Sequence, residues 1–188
     1  MSKTKKTESL VKDKQIIESR LSIIKSILED KEMKYQVTEK VIPEMIVYTA
    51  ETILKTYSDL MQWIPSVGQE CLKLNPEIKC AEPHYEFCEY LDGEYKDGDI
   101  HIRHNEAVTT IGKESDFIKF KTLPETKVLS IYHKGPYNKI GEAYTFLMKY
   151  VEQNGYTTTG LARECYIDGI WNKESEEDWL TEIQMPIE

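Results

Sequence analysis

Glu164 stands in the run Arg163-Glu164-Cys165-Tyr166, where strand alternation puts it on one face with Ala162 and Tyr166. A carboxylate on an aromatic face has two possible environments. If it is buried, its charged form is disfavoured and its pKa rises unless hydroxyls or a cation compensate, which is the usual mark of a functional acid. If it faces water it is an ordinary surface acid, and on the residues alone that plainer reading is favoured. Tyr85, Tyr137, Tyr144, Tyr166 and Trp171 are candidates to stack on a flat or cationic ligand. Each aromatic face over a cation contributes about 0.5 to 2 kcal/mol. With 12 tyrosines in the chain, the ordinary role of any single ring is core or surface packing.

Other chemistries find little support. Cys71, Cys80, Cys88 and Cys165 form no CxxC pair and read as small buried hydrophobes of a reducing compartment. His101 and His104 fall in an alternating stretch that sends them to opposite strand faces, against a shared metal ion. There is no Ser-His-Asp set and no paired thiolate and base, and no cofactor is expected. The 188 residues carry a formal charge of −9, which argues against a nucleic-acid surface. The one basic cluster, Lys3, Lys5 and Lys6, reads as a solvated tail. No stretch approaches the roughly 18 apolar residues of a membrane span, and no signal-peptide core is present, so a cytoplasmic location is expected.

The elements that must position these groups come in two similar sets. Tyr57-Ser58-Asp59-Leu60-Met61-Gln62-Trp63-Ile64 is echoed by Tyr144-Thr145-Phe146-Leu147-Met148-Lys149-Tyr150-Val151. Val41-Ile42-Pro43-Glu44 and Thr122-Leu123-Pro124-Glu125 precede the two copies, and His84-Tyr85-Glu86-Phe87 and Arg163-Glu164-Cys165-Tyr166 follow them. A repeat of about 80 residues fits two half-domains with a cleft between them. Ahead of both, residues 8–32 form an amphipathic helix with Leu10, Ile17, Leu21, Ile24 and Leu28 along one face, following a disordered tail at 1–7. That seam either lies on its own domain or pairs two subunits as a dimerisation helix.

Within the first set, Tyr35 to Val47 alternates as a strand pair around Pro43, and Ala50 to Ile64 reads as a helix closed by Pro65. A short helix at Gln69 to Leu74 lies in the connection that follows. Strands at Tyr85 to Leu91 and Asp99 to His104 flank the turn residues Asp92-Gly93 and Asp97-Gly98, with a further strand at Ala107 to Ile111. The second set offers strands at Phe117 to Lys121 and Lys127 to His133, then a helix at Asn138 to Asn154 ended by Gly155. Arg163 to Ile170 and Asp178 to Pro186 are the last strands. The expected fold is α+β: duplicated βαββ units forming a mostly antiparallel sheet, helices on one face, and the other face free to line a cleft.

His133-Lys134-Gly135-Pro136-Tyr137, Ile140-Gly141-Glu142-Ala143-Tyr144, Asn154-Gly155-Tyr156, Arg163-Glu164-Cys165-Tyr166 and Thr181-Glu182-Ile183-Gln184-Met185-Pro186 resemble, in that order, the GyrI-like domain. This is the effector-binding module found at the C-terminus of multidrug-responsive MerR-type and some AraC-type transcription regulators. The resemblance covers about 34–188, with pseudo-repeats at about 34–111 and 117–188, and implies a duplicated βαββ fold with a small-molecule ligand. It implies that Glu164 meets cationic drugs and that Trp179 and Tyr57 are pocket aromatics. It also marks Glu182 as a second recurrent acid, in the pocket or paired with Arg163 or Arg103. The winged helix-turn-helix head of such regulators is absent from this sequence, so no direct contact with nucleic acid is expected of the chain by itself.

The leading expectation is therefore a drug or metabolite sensor that binds amphipathic, aromatic or cationic molecules reversibly. One alternative is a stand-alone hydrolase of strained electrophiles with Glu164 as general base on water. Another is a protein-interaction module like the gyrase-inhibiting relatives.

Overall fold

The computed structural model describes residues 35–188 apart from Glu94. The expected tail at 1–7 and helix at 8–32 lie outside the described residues. Val37–Glu188 forms one compact unit. It contains eight strands, β1 (Thr38–Ile42), β2 (Met45–Leu54), β3 (Glu86–Tyr90), β4 (Ile100–Val108), β5 (Lys119–Leu123), β6 (Thr126–Lys134), β7 (Arg163–Asp168) and β8 (Leu180–Pro186). Its two α-helices are α1 (Leu60–Leu74) and α2 (Ile140–Asn154), each entered through a single 3₁₀ turn, Tyr57–Asp59 and Tyr137–Lys139. All strands join one sheet in the order β1-β6-β8-β7-β3-β4-β2-β5, and every pairing is antiparallel.

Local chemistry accounts for most boundaries. Gly93, at φ 73°, takes the left-handed conformation of the β3–β4 turn, and Gly155, at φ 70°, caps α2. Asp59 accepts from the Thr56 backbone N–H at 2.9 Å, closing a capping box where the first helical segment starts. The first helix nonetheless departs from expectation. Ala50 to Leu54 belong to β2, because Thr52 and Ile53 suit a strand and the whole stretch pairs with β4, while β5 pairs with Met45 to Thr49. Pro65 lies inside α1 and does not close it, and the expected short helix at Gln69 to Leu74 is the end of α1. An interior proline costs about 3 kcal/mol. Leu60, Val67 and Cys71 are buried along one face, and a fully buried apolar side chain returns about 1.5 to 3 kcal/mol. Ala107 and Val108, expected in a separate strand, complete β4.

The sheet cannot be flat. β1 and β2 stand first and seventh in the order, yet only Pro43 and Glu44 join them; β5 and β6, eighth and second, are joined by Pro124 and Glu125. In a flat sheet these strands would lie about 30 Å apart, whereas a two-residue link spans about 10 Å. The sheet therefore curls until its edges meet at that end. Eight curled strands leave interior room for side chains only, so the helices must lie outside.

Register separates the two faces. Ala50, His104, Cys88, Glu164, Ile183 and Ile131 are successive cross-strand partners and so share a face. Val67 and Cys71 of α1 pack there with Tyr48 and Ala50, and α2 reaches it through Tyr144. The inner face is free of both helices, and Val47, Asn105, Ser130 and Val128 on it are fully buried by the curl itself.

The halves are related by a pseudo-two-fold axis between β3 and β7 at the pair Cys88 and Glu164. Ile42 opposite Thr126 and Leu123 opposite Met45 mark its other end. Each 3₁₀ turn leads into a helix of 15 residues, so Tyr57 corresponds to Tyr137, Val67 to Leu147 and Cys71 to Val151. The match between Tyr57 and Tyr144 is thus out of structural register by about two helical turns, because apolar stripes repeat along a helix every seven residues. Leu147→Ala should lower stability by about 2 to 5 kcal/mol, and Met148→Ala, on the exposed side of α2, should stay within about 0.5 kcal/mol, as read from urea denaturation midpoints.

Candidate functional site

The pseudo-two-fold axis gathers aromatic rings from both halves on the outer face. In the first half, Tyr57 lies 5.8 Å from Tyr90 and stacks on Tyr95 at 5.6 Å. In the second, Tyr137 lies 5.6 Å from Tyr166 and 4.7 Å from Trp179. These triads correspond element for element: the turn before the helix, the central strand and the loop that follows it. They meet where the Tyr90 and Tyr166 hydroxyls lie 2.7 Å apart across the axis.

Glu164 sits beside that junction, 6% exposed. Tyr144 donates to its Oε1 at 2.7 Å and Tyr166 to its Oε2 at 3.0 Å. A tyrosine has one proton to give, so with Tyr166 donating to the carboxylate, Tyr90 donates to Tyr166. Burial pushes the Glu164 pKa up, and the two hydroxyls only partly offset it. Among the described residues no basic side chain forms an ion pair with it. Burial, then the Glu164 charge, raises the hydroxyls of Tyr90, Tyr144 and Tyr166 well above the ordinary tyrosine range, and that of Tyr137 to about 12. The tyrosines therefore remain neutral donors. Two further buried donors, Trp179 Nε1 and Thr181 Oγ1, have no hydrogen-bond partner among the described residues, and Thr181 lies directly across from Tyr166. The arrangement suits an aromatic cation, with rings around its body and one carboxylate for its charge.

The expected residues divide between two faces. Glu164, Tyr57, Tyr137, Tyr144, Tyr166 and Trp179 converge on the axis. Tyr85 does not, since its hydroxyl donates to Gln184 at 2.6 Å on the inner face. Glu182 also faces inward, taking Lys40 at 2.7 Å and Ser130 at 2.5 Å; neither Arg163 nor Arg103 is its partner. Trp171 is half-exposed and folds over Gly169. Glu164 shares its face with the helices, so the face that the helices leave free is not the one that carries it. Tyr90 and Tyr95 are not singled out by the sequence, and Cys88 reads there only as a small buried hydrophobe. Matching Phe87-Cys88-Glu89-Tyr90 to Arg163-Glu164-Cys165-Tyr166 would have found Tyr90 and shown Cys88 as the counterpart of Glu164.

A second polar cluster lies on the outer face of the first half. Glu106 there accepts from Tyr48, from Cys80 at 2.9 Å and from His84 at 3.1 Å. Burial and the Glu106 charge raise the nearby Glu86 carboxyl to about 6, and burial lowers His104 to about 4, leaving that imidazole neutral in the core. Among the described residues no group of His, Cys, Asp and Glu is placed to hold a metal ion.

The raised pKa of Glu164 has a stability consequence. A group whose folded pKa lies above its unfolded value contributes fully below the unfolded pKa and loses that contribution as pH rises through the folded one. Glu164→Gln keeps the shape without the charge. It should melt higher than the native chain at pH 8, by about 2 to 4 °C for each kcal/mol of burial cost relieved, and the gap should shrink towards pH 4.5 in thermal melts.

Comparison with known proteins agrees with the fold. The C-terminal domain of EcmrR is 44% identical over 82% of this chain and 98% of its own, with a TM-score of 0.76. EcmrR in a complex with DNA is 39% identical, covers 100% of this chain and 72% of its own, and has a TM-score of 0.78. A hydrolase from Listeria innocua shares the fold at 12% identity, covering 81% of this chain and 92% of its own with a TM-score of 0.59. No curated protein matches the chain. The family of the GyrI-like small molecule binding domain matches residues 33–188, well over half of the chain, and the chain belongs to it.

Proposed function

We propose that the chain is the ligand-sensing part of a transcription regulator and that its ligands are flat, lipophilic cations held at the pseudo-two-fold axis. The observation that carries this reading is Glu164, a buried carboxylate served by two tyrosine hydroxyls and lacking a cation. Burying such a charge is costly unless it is paired. An incoming cation supplies the missing charge, and the rings of Tyr57, Tyr90, Tyr137, Tyr166 and Trp179 supply a face for its apolar body. Stacking tolerates many shapes, which makes the site broad in what it accepts. Likeness to EcmrR, which has been seen in complex with DNA, supports a regulatory setting in which ligand occupancy is passed to a DNA-binding segment.

Binding is favoured over hydrolysis by the same geometry. The tyrosine hydroxyls that donate to both Glu164 oxygens lower its basicity, which weakens it as a base on water. Titration of benzyltriethylammonium against its neutral analogue (2,2-diethylbutyl)benzene, followed by tryptophan fluorescence, separates the possibilities. The cation should bind saturably, more tightly as pH rises and Glu164 ionises, and about tenfold or more weakly to Glu164→Gln. Binding of the neutral analogue should change little in that variant. Equal cation affinity for the two proteins would overturn the reading.

A further inference from the structure

Five buried side-chain atoms make no hydrogen bond among the described residues. Thr49 Oγ1, Asn105 Oδ1 and Arg163 Nε belong to the inner face. The other two, Trp179 Nε1 just before β8 and Thr181 Oγ1 within it, belong to the outer face and adjoin the ring triad of the second half. Thr181, 1% exposed, is the cross-strand partner of Tyr166, whose hydroxyl donates to Glu164 at 3.0 Å. Trp179 packs 4.7 Å from Tyr137, and Tyr137 lies 5.6 Å from Tyr166. Two donors therefore accompany the rings that lead to the carboxylate.

The first half shows what the fold itself requires at these places. Ile102 pairs with Tyr90 as Thr181 pairs with Tyr166, and it is fully buried with no polar atom to satisfy. Threonine and isoleucine are both β-branched and suit a strand alike, so the strand does not need the Thr181 hydroxyl. Tyr95, which takes the part of Trp179 in the first triad, is 77% exposed. A hydroxyl or indole N–H buried without a partner costs free energy that a side chain lacking the polar atom avoids. Native structures rarely keep such groups. Both departures from the duplication fall in the half that carries Glu164, opposite Cys88 of the other half.

We propose that Trp179 Nε1 and Thr181 Oγ1 donate to an acceptor oxygen of the ligand, so that the chain selects aromatic cations whose ring separates the charge from a carbonyl or ether oxygen. This rests on the reading of Glu164 as the seat of the charge and narrows it. The ammonium lies beside Glu164, the aromatic body along Tyr166 and Tyr137, and the oxygen on the β8 side, where Thr181 adjoins Tyr166 and Trp179 adjoins Tyr137. An indole N–H only donates and a threonine hydroxyl can donate, so the group they have in common is an acceptor. Stacking tolerates many shapes. Donors left unpaired by an analogue without the oxygen supply discrimination that the rings lack.

Calorimetric titration of 4-acetylbenzyltriethylammonium against 4-isopropenylbenzyltriethylammonium tests the proposal, because the two cations match in charge and shape and differ only in C=O against C=CH2. The native chain should bind the ketone about three- to tenfold more tightly. Thr181→Val and Trp179→Phe should each narrow that ratio, and the double variant should bring it to about one. Ligand-free Thr181→Val should melt no lower than the native chain. Equal affinities in the native chain overturn the proposal, as does a ketone preference that survives in the double variant. A ligand-free Thr181→Val that melts well below the native chain gives the hydroxyl a structural role and also overturns it. Should Trp179→Phe fail to fold, Thr181→Val decides, since an undiminished preference there contradicts the site. The neutral pair 4-methylacetophenone and 4-isopropenyltoluene keeps the two readings apart. If neither cation binds, the charge reading fails, and the acceptor site still predicts that the native chain and Glu164→Gln favour the neutral ketone; no such preference overturns it.

Discussion

Glu164 holds a carboxylate in a buried, aromatic place with hydroxyl donors and, among the described residues, no cation beside it, and much of the outer face is arranged around that fact. Tyr144 reaches it from α2 and Tyr166 from its own strand, so its position depends on the second helix being docked. Tyr90 extends the same chain of hydroxyls into the first half. A carboxylate so placed costs folding free energy when ionised and repays it when a cation arrives, which is how a binding site stores affinity in advance. The buried Trp179 Nε1 and Thr181 Oγ1 donors on this face make no hydrogen bond among the described residues.

Duplication explains the shape of the site, and the break in duplication explains its charge. Two triads of rings face each other because each half contributes the same three elements. Cys88 occupies the position equivalent to Glu164 and hydrogen-bonds weakly at most, at 3.9 Å from His104. Two carboxylates across the axis would repel and drive one pKa sharply upward. A single acid against a small thiol avoids this and gives the cage one charged end. The short proline links that bend the sheet complete the division of labour, because they close the inner face and leave the outer one to the helices.

Much of this was legible in the sequence. The duplicated βαββ order, the β3–β4 turn at Asp92-Gly93 and the end of α2 at Gly155 follow from local signals that tertiary packing does not override. The sequence misled where two periodicities overlapped. Ala50 to Ile64 reads as one amphipathic helix, yet its first part continues a strand paired along its length with β4, which no local pattern reveals. The same seven-residue ambiguity paired Tyr57 with Tyr144, although Tyr57 and Tyr137 are the true counterparts. Alternation along β7 correctly grouped Glu164 with Tyr166. It could not say which face Glu182, Tyr85 or Trp171 would meet, because that depends on the register between β7 and β8 and on the path of long loops.

The central claim is that the ligand's charge sits beside Glu164 on the axis between the two ring triads. The most direct measurement is a crystal structure of the chain with benzyltriethylammonium. The account predicts the ammonium within about 4 to 6 Å of the Glu164 oxygens, its ring against Tyr57, Tyr90, Tyr137, Tyr166 or Trp179. A cation bound elsewhere, with the Glu164 carboxyl still held only by Tyr144 and Tyr166, would contradict it.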